Sequence, residues 1–191
     1  MMSAEPPDTR IWTAEEYLAW ERLQPTKHEF FQGEIVAMPA TTLAHGRVVV
    51  NIGAELRSAL REKPCEVLIS NMRIKVPATG LYTYPDALIV CGKAELEDEA
   101  RDTLLNPKVL VEVLSEESER YDRGKKLEQY RSIASLAEYI LAAQDQVLVE
   151  HFSRQPDGSW LLREARSGGR VTLPSIDCTI EVDEIYVKVF G

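Results

Sequence analysis

At 191 residues, with 45% hydrophobic and 28% charged side chains, the chain has the composition of a soluble globular protein able to bury one sizeable core. A formal net charge of −9 excludes a general nucleic-acid coat protein, which would be basic, but not a nuclease with a local basic patch and bound cations. No apolar run approaches the ~18 residues that cross a membrane, and the first residues lack a signal peptide's apolar segment, so the expected location is cytoplasmic. Cys65, Cys91 and Cys178 lie far apart without metal-ligand spacing. Their odd number argues against a disulfide framework, and Cys91 reads as core.

In chain order, residues 1–12 read as a disordered arm. Thr13 followed by Glu16 is a capping box, which predicts a helix from Ala14 to Leu23, stopped by Pro25. His28 to Met38 reads as a hairpin turning at Gln32-Gly33, with Glu29 in its first strand. Read alone, Glu29 is as consistent with an edge-strand charge as with a buried group. Val48, Val49, Ile52, Leu56 and Leu60 then mark an amphipathic helix from Leu43 to Glu62, opened by His45 and carrying Arg47, Arg57 and Arg61 as polar-face cations. One strand is expected over Glu66 to Val76 and a turn over Pro77 to Gly80. The run Glu95 to Asp102, with five acidic residues, reads as a solvated loop or helix face.

Two apolar runs follow one another around that loop, each with one carboxylate. Asp86 opens Asp86-Ala87-Leu88-Ile89-Val90, and Glu112 sits inside Val109 to Leu114. Such runs predict strands buried on both faces. Period 2 puts Val109, Val111 and Val113 on one face and Leu110, Glu112 and Leu114 on the other. A carboxylate there needs a partner, and one metal ion can serve two of them. Beyond a polar link at Ser115 to Glu119, a helix over Asp122 to Ile133 is expected. Its phase sets Lys126, Tyr130 and Ile133 on the apolar side and Lys125 on the solvated side. Glu112 paired with Lys126, without metal, is the alternative reading of the same residues. Strands at Glu138 to Ala142, Gln146 to Phe152 and Trp160 to Ala165 follow, and Asp183 is expected to cap a last short helix. This order predicts a mixed α/β sheet with helices packed on it, including a β-α-β crossover from the Glu112 strand to the Tyr139 strand.

Pro85-Asp86 with Glu112-Val113-Leu114 on the next core strand resembles the PD-(D/E)XK nuclease superfamily. The lysine that normally follows the glutamate by two is Leu114 here; some members carry it on the following helix, where Lys126 stands. The longer set is similar to the Uma2 family (DUF820) of restriction-endonuclease-like proteins, over roughly Thr13 to Phe190. That set is Glu29 with Gly33-Glu34, His45, Tyr84-Pro85-Asp86, Val111 to Ser115, Asp122 with Lys126 and Tyr130, and Glu138-Tyr139.

The resemblance implies a restriction-endonuclease-like core on a central mixed sheet, one domain over residues 13–191, and metal-dependent hydrolysis of DNA phosphodiesters. It implies Mg²⁺, with Mn²⁺ as a substitute, held by Asp86, Glu112 and the backbone carbonyl of Val113. Lys126 would be the catalytic lysine and Glu29 an accessory or fixing group, with His45 and Tyr130 behind them. Leu114 and the acidic charge keep two other readings open: a nuclease fold retired to a binding or oligomerisation module, and a metal-dependent hydrolase of a small phosphate substrate. A homodimer is expected, because two sites match two DNA strands, with Val147, Val149, Phe152, Trp160 and Leu162 or the helix from Ala14 as candidate interface.

Overall fold

A computed structural model describes residues 10–116 and 118–190. The first half contains helix α1 (Ala14–Glu21), strands β1 (His28–Phe31) and β2 (Glu34–Ala37), and helix α2 (Leu43–Ala59). Strands β3 (Cys65–Ile69), β4 (Arg73–Val76), β5 (Leu81–Thr83), β6 (Ala87–Cys91), β7 (Thr103–Leu104) and β8 (Val109–Leu114) follow. A helical passage comes next, made of α3 (Glu119–Tyr121), a π-helical segment (Asp122–Lys126) and α4 (Leu127–Tyr130). The chain then adds β9 (Glu138–Ala143), β10 (Leu148–Arg154), β11 (Trp160–Arg166), β12 (Arg170–Leu173), β13 (Cys178–Glu181) and α5 (Val182–Ile185).

A six-stranded sheet runs β11-β10-β9-β8-β6-β3, and a five-stranded sheet runs β2-β1-β5-β4-β7. In the larger sheet β8 and β9 are parallel, joined by the helical crossover expected from sequence, and the other pairs are antiparallel. The two faces of β8 set the layers. Val109, Val111 and Val113 pack against α2 through Val48 and Ile52, and against the β12–β13 hairpin and α5. Leu110 and Leu114 pack against the five-stranded sheet through Ile74, Val76 and Leu81, and against Tyr130 and Ile133. Helix α1 covers the outer face of the smaller sheet, with Tyr17 and Leu18 on Phe30 and Tyr82.

Local signals explain the ends of these elements. Thr13 Oγ1 accepts from the Glu16 amide at 3.2 Å and the Thr13 amide donates to Glu16 Oε2 at 3.0 Å, so the capping box forms. Gln32 (φ 51°) and Gly33 (φ 88°) make the hairpin turn with both central residues left-handed. A Cβ on Gly33 would lie 2.5 Å from Ile11, so glycine is also required by space.

Several expectations are corrected. The arm expected at residues 1–12 lies outside the described residues up to residue 9. Beyond that, Trp12 is tied to Gly33 O through its amide at 2.9 Å and packs at a tilt against Trp20, ring centroids 5.7 Å apart. The single strand expected over Glu66 to Val76 breaks at Ser70 (φ 55°), and its halves β3 and β4 enter different sheets. The Lys126 helix starts at Glu119 and ends at Tyr130, with a π-helical middle in place of a regular helix to Ile133. Cys65 and Cys91 lie directly opposite in the β3–β6 register and form a disulfide; strand pairing brings together what sequence spacing kept apart. Asp183 caps nothing on α5; its carboxylate accepts from the Gly168 amide at 2.9 Å. The acidic run is not idle either. Asp98 and Asp102 hold Arg22, the residue that caps the end of α1, Asp102 also meets Arg73, and Glu97 meets Lys75, so this loop braces the end of α1 and β4.

On the far face of β9, Glu138 is buried, accepts from the Ser175 amide at 3.0 Å and stands 3.8 Å from His151. Burial, with Arg163 adding, pushes the His151 pKa down to about 4, so the imidazole is neutral at pH 7. Among the described residues, no helix is long and apolar enough to cross a membrane.

Candidate active site

The buried end of β8 and the π-helical segment meet at Lys126. Its phase is as expected: Lys126 is buried and Lys125 is exposed. Lys126 Nζ lies 3.0 Å from Glu112 Oε1, 3.2 Å from Glu29 Oε1 and 3.5 Å from Asp122 Oδ1. Glu112 is on the Leu110/Leu114 face, as the alternation of β8 requires, and also accepts from the Tyr130 hydroxyl at 2.8 Å. Glu29 is no edge charge. Strand β1 runs between β2 and β5, and the Glu29 carboxylate faces inward, where the Thr83 hydroxyl also bonds to it.

Electrostatics follow from this burial. Loss of solvent pushes the Glu112 carboxyl up to about 8 despite the pull of Lys126, and Asp122 and Asp86 add to the rise. Burial likewise raises Asp122. For Lys126, burial works against the charge, but Glu112, Glu29 and Asp122 outweigh it and hold the ammonium pKa well above the usual lysine value. Burial and the neighbouring carboxylates also keep the Tyr130 hydroxyl protonated.

Asp86 stands just before β6, where the sheet ends. Its backbone carbonyl accepts from the Ser70 amide at 2.8 Å. Its carboxylate accepts from the Val113 amide at 2.7 Å and bonds to His45 Nε2 at 2.9 Å. His45 comes from the first turn of α2, on the opposite layer from Lys126. In an extended strand the N–H and C=O of one residue point to the same side. The Val113 carbonyl therefore lies on the side of β8 that Asp86 occupies.

Glu29, His45, Asp86, Glu112, Val113 and Lys126 all line one cleft of ≈ 640 Å³. Tyr130 lies behind it, on Glu112. His45 proves to be a direct partner of Asp86, closer than its place in the sequence suggested. Four neighbours have no role legible in the sequence alone. Asp122 is one turn before Lys126, a spacing that signals contact but not role. Thr83 needed the β1–β5 pairing, and the Ser115 and Gln144 linings of the cleft needed the tertiary fold. Among the described residues, no group of three or more His, Cys, Asp or Glu side chains is placed to cage a metal. The available donors are two carboxylates and a carbonyl. That all-oxygen set fits Mg²⁺, which keeps several of its waters, better than a cage-bound zinc.

A mixed sheet whose strand ends deliver Asp86 and Glu112, followed by a helical segment that delivers a buried lysine, defines a restriction-endonuclease-like α/β protein. The Uma2 family profile, described as "Putative restriction endonuclease", matches residues 14–183, and the chain belongs to that family. Two proteins of Synechocystis sp. (strain ATCC 27184 / PCC 6803 / Kazusa), both described as uncharacterized, are similar to it. Protein sll1609 is 33% identical over 156 residues, covering 82% of this chain and 88% of its own length. Protein slr1290 is 33% identical over 172 residues, covering 90% of each. The fold is also similar to the crystal structure of a "putative nuclease belonging to DUF820" from Anabaena variabilis ATCC 29413. The TM-score is 0.72 at 15% identity, over 92% of this chain and 98% of that one.

Lys126→Met should lower the unfolding free energy by about 3–5 kcal/mol at neutral pH, because it leaves buried carboxylates without their cation. The loss should shrink as pH falls and those carboxylates take up protons. Lys125→Met should stay within about 0.5 kcal/mol. Urea titrations at neutral and acid pH measure both; equal stability of the two variants contradicts the assignment of Lys126 as the buried cation.

Proposed function

We propose that the protein is a metal-dependent endonuclease that hydrolyses DNA phosphodiester bonds, with residues 13–191 as its single catalytic domain. The observation that carries this reading is the gathering of Asp86, Glu112, Glu29 and Lys126 from four segments around one cleft. Asp86, Glu112 and the Val113 carbonyl would hold Mg²⁺, or Mn²⁺ in its place. When bound, such an ion polarises a phosphoryl oxygen and lowers the pKa of a water. His45 and the Val113 amide fix the rotamer of Asp86, and Tyr130 does the same for Glu112. Lys126 offers its ammonium to negative charge that grows on the phosphate in the transition state. Glu29 and Asp122 hold Lys126 in place.

A second reading has one observation in its favour. Glu112 and Lys126 already neutralise each other at 3.0 Å, as they would in a nuclease fold retired to binding or oligomerisation. A hydrolase of small phosphates is the third candidate, and substrate choice separates it from the first.

Incubation with plasmid, single-stranded DNA, RNA and a nucleotide, each with Mg²⁺ or Mn²⁺, distinguishes the three. We expect DNA cleavage that falls by about 10²–10³-fold in Lys126→Met and is unchanged in Lys125→Ala. Mg²⁺ should also raise the melting temperature of the wild type, and of neither Asp86→Ala nor Glu112→Ala. Metal-dependent stabilisation without cleavage of any substrate supports the retired fold instead.

A homodimer belongs to the same reading, since a C₂ pair presents two sites to two antiparallel strands. The late strands mostly cover their own core: Val149 is buried, and Phe152 and Trp160 pack against the sheet. What is left for a partner is the edge strand β11, with Leu161 39% and Leu162 44% exposed. Light scattering should give twice 21.6 kDa; a mass of 21.6 kDa removes the paired-site picture.

A further inference from the structure

Helix α2 has a face used neither by the core nor by the candidate site. With about 100° per residue, Leu43, Arg47, Val50, Ala54 and Arg57 fall on one arc, and all five are exposed. Arg61, in the turn that follows, borders with Arg57 a second cleft of ≈ 560 Å³ against β3. No acidic residue lies on the arc. Glu55 is turned away by about 100°, and Glu66 across the second cleft is its acidic lining. Arg10, Arg22, Arg73, Arg123, Arg166 and Arg170 contact carboxylates, and Arg131 and Arg154 lie over the Trp160 ring. Among the described residues, Arg47, Arg57 and Arg61 have no acidic partner within 4.0 Å. What sets these three apart is that they follow one another along a single exposed face of a chain whose net charge is −9.

The face also has a direction. Thr42 and His45, at the start of α2, line the candidate active-site cleft; His45 is turned about 160° from Arg47, so it is the end of the helix, beyond Leu43, that opens onto the cleft. At 1.5 Å per residue, Arg57 lies about 15 Å further along the helix than Arg47. At 3.4 Å per base pair, that distance corresponds to roughly four to five steps of a duplex. Val50 and Ala54 between the arginines are short and do not hold a partner's backbone away. The arginine fork matches phosphate oxygens in pairs.

From this we propose that the Arg47–Arg57–Arg61 face grips the phosphate backbone of duplex DNA, independent of sequence, and leads it into the cleft at His45 and Asp86. The proposal rests on the nuclease reading for its substrate. Its contacts would position the duplex and carry no base recognition.

Binding of a short fluorescein-labelled DNA duplex, with Ca²⁺ replacing Mg²⁺, tests it across a salt series. The triple variant Arg47→Gln, Arg57→Gln, Arg61→Gln should keep the wild-type melting temperature and bind at least about tenfold more weakly. Its slope of log K against log salt should be shallower by about 2–3, one lost phosphate contact per arginine. A control with the same charge change at exposed positions elsewhere, Lys93→Gln, Arg101→Gln, Arg163→Gln, should keep the wild-type slope. An unchanged slope in the triple variant, an equal loss in the control, or no wild-type binding overturns the proposal. So does a triple variant that loses dimer mass while keeping DNA affinity, which assigns the face to a second copy. The two readings fail separately. Cleavage by the wild type with undiminished binding by the triple variant removes only the arginine face. Weakened binding by the triple variant with no wild-type cleavage removes only the nuclease.

Discussion

One buried ammonium, that of Lys126, faces carboxylates from three parts of the chain: Glu29 of β1, Glu112 of β8 and Asp122 one turn before it. A carboxylate out of water is costly unless paired, and breaking such a pair typically costs about 3–5 kcal/mol. That is a large share of the roughly 5–15 kcal/mol that holds a domain folded. Strand β1 belongs to one sheet and β8 to the other, so this lysine fixes how the two sheets and the helical crossover meet. Tyr130, packed edge-on against Tyr139 at 5.2 Å, closes the cluster from below.

The same cluster is not electrically balanced. Lys126 brings one positive charge to Glu29, Glu112 and Asp122, and Asp86 stands at the same cleft with His45 beside it. Burial pushes the Glu112 carboxyl up to about 8, a direction that opposes its charge. A divalent cation would act the other way, stabilising the carboxylate form and offsetting the excess negative charge. The excess of carboxylate over cation is therefore the physical ground for reading the cleft as a metal site. The ion pair at Lys126 alone would not be.

Much of this was legible because short-range geometry decides it. Period 2 along β8 put Glu112 with Leu110 and Leu114, and helical phase turned Lys126 inward and Lys125 outward. The capping box at Thr13 and the turn at Gln32-Gly33 are equally local. What was not legible depends on pairing between distant segments. His45 meets Asp86 only because α2 packs across the end of β6. Ser70 breaks an apparently continuous strand because its two halves find partners in different sheets. Cys65 and Cys91 met through register alone. Asp98 and Asp102 looked like solvated charge because Arg22 and Arg73, their partners, lie far off in the chain. The phase argument for Lys126 held although the segment is π-helical, since a single widened turn shifts the phase too little to expose it.

The central claim is that Asp86 and Glu112 converge on one cation. Crystals grown with Mn²⁺ and measured at the manganese absorption edge test it directly. We predict an anomalous peak bounded by the Asp86 and Glu112 carboxylates and the Val113 carbonyl. A peak elsewhere, or Glu112 still bonded to Lys126 with no peak beside Asp86 at saturating Mn²⁺, would contradict it.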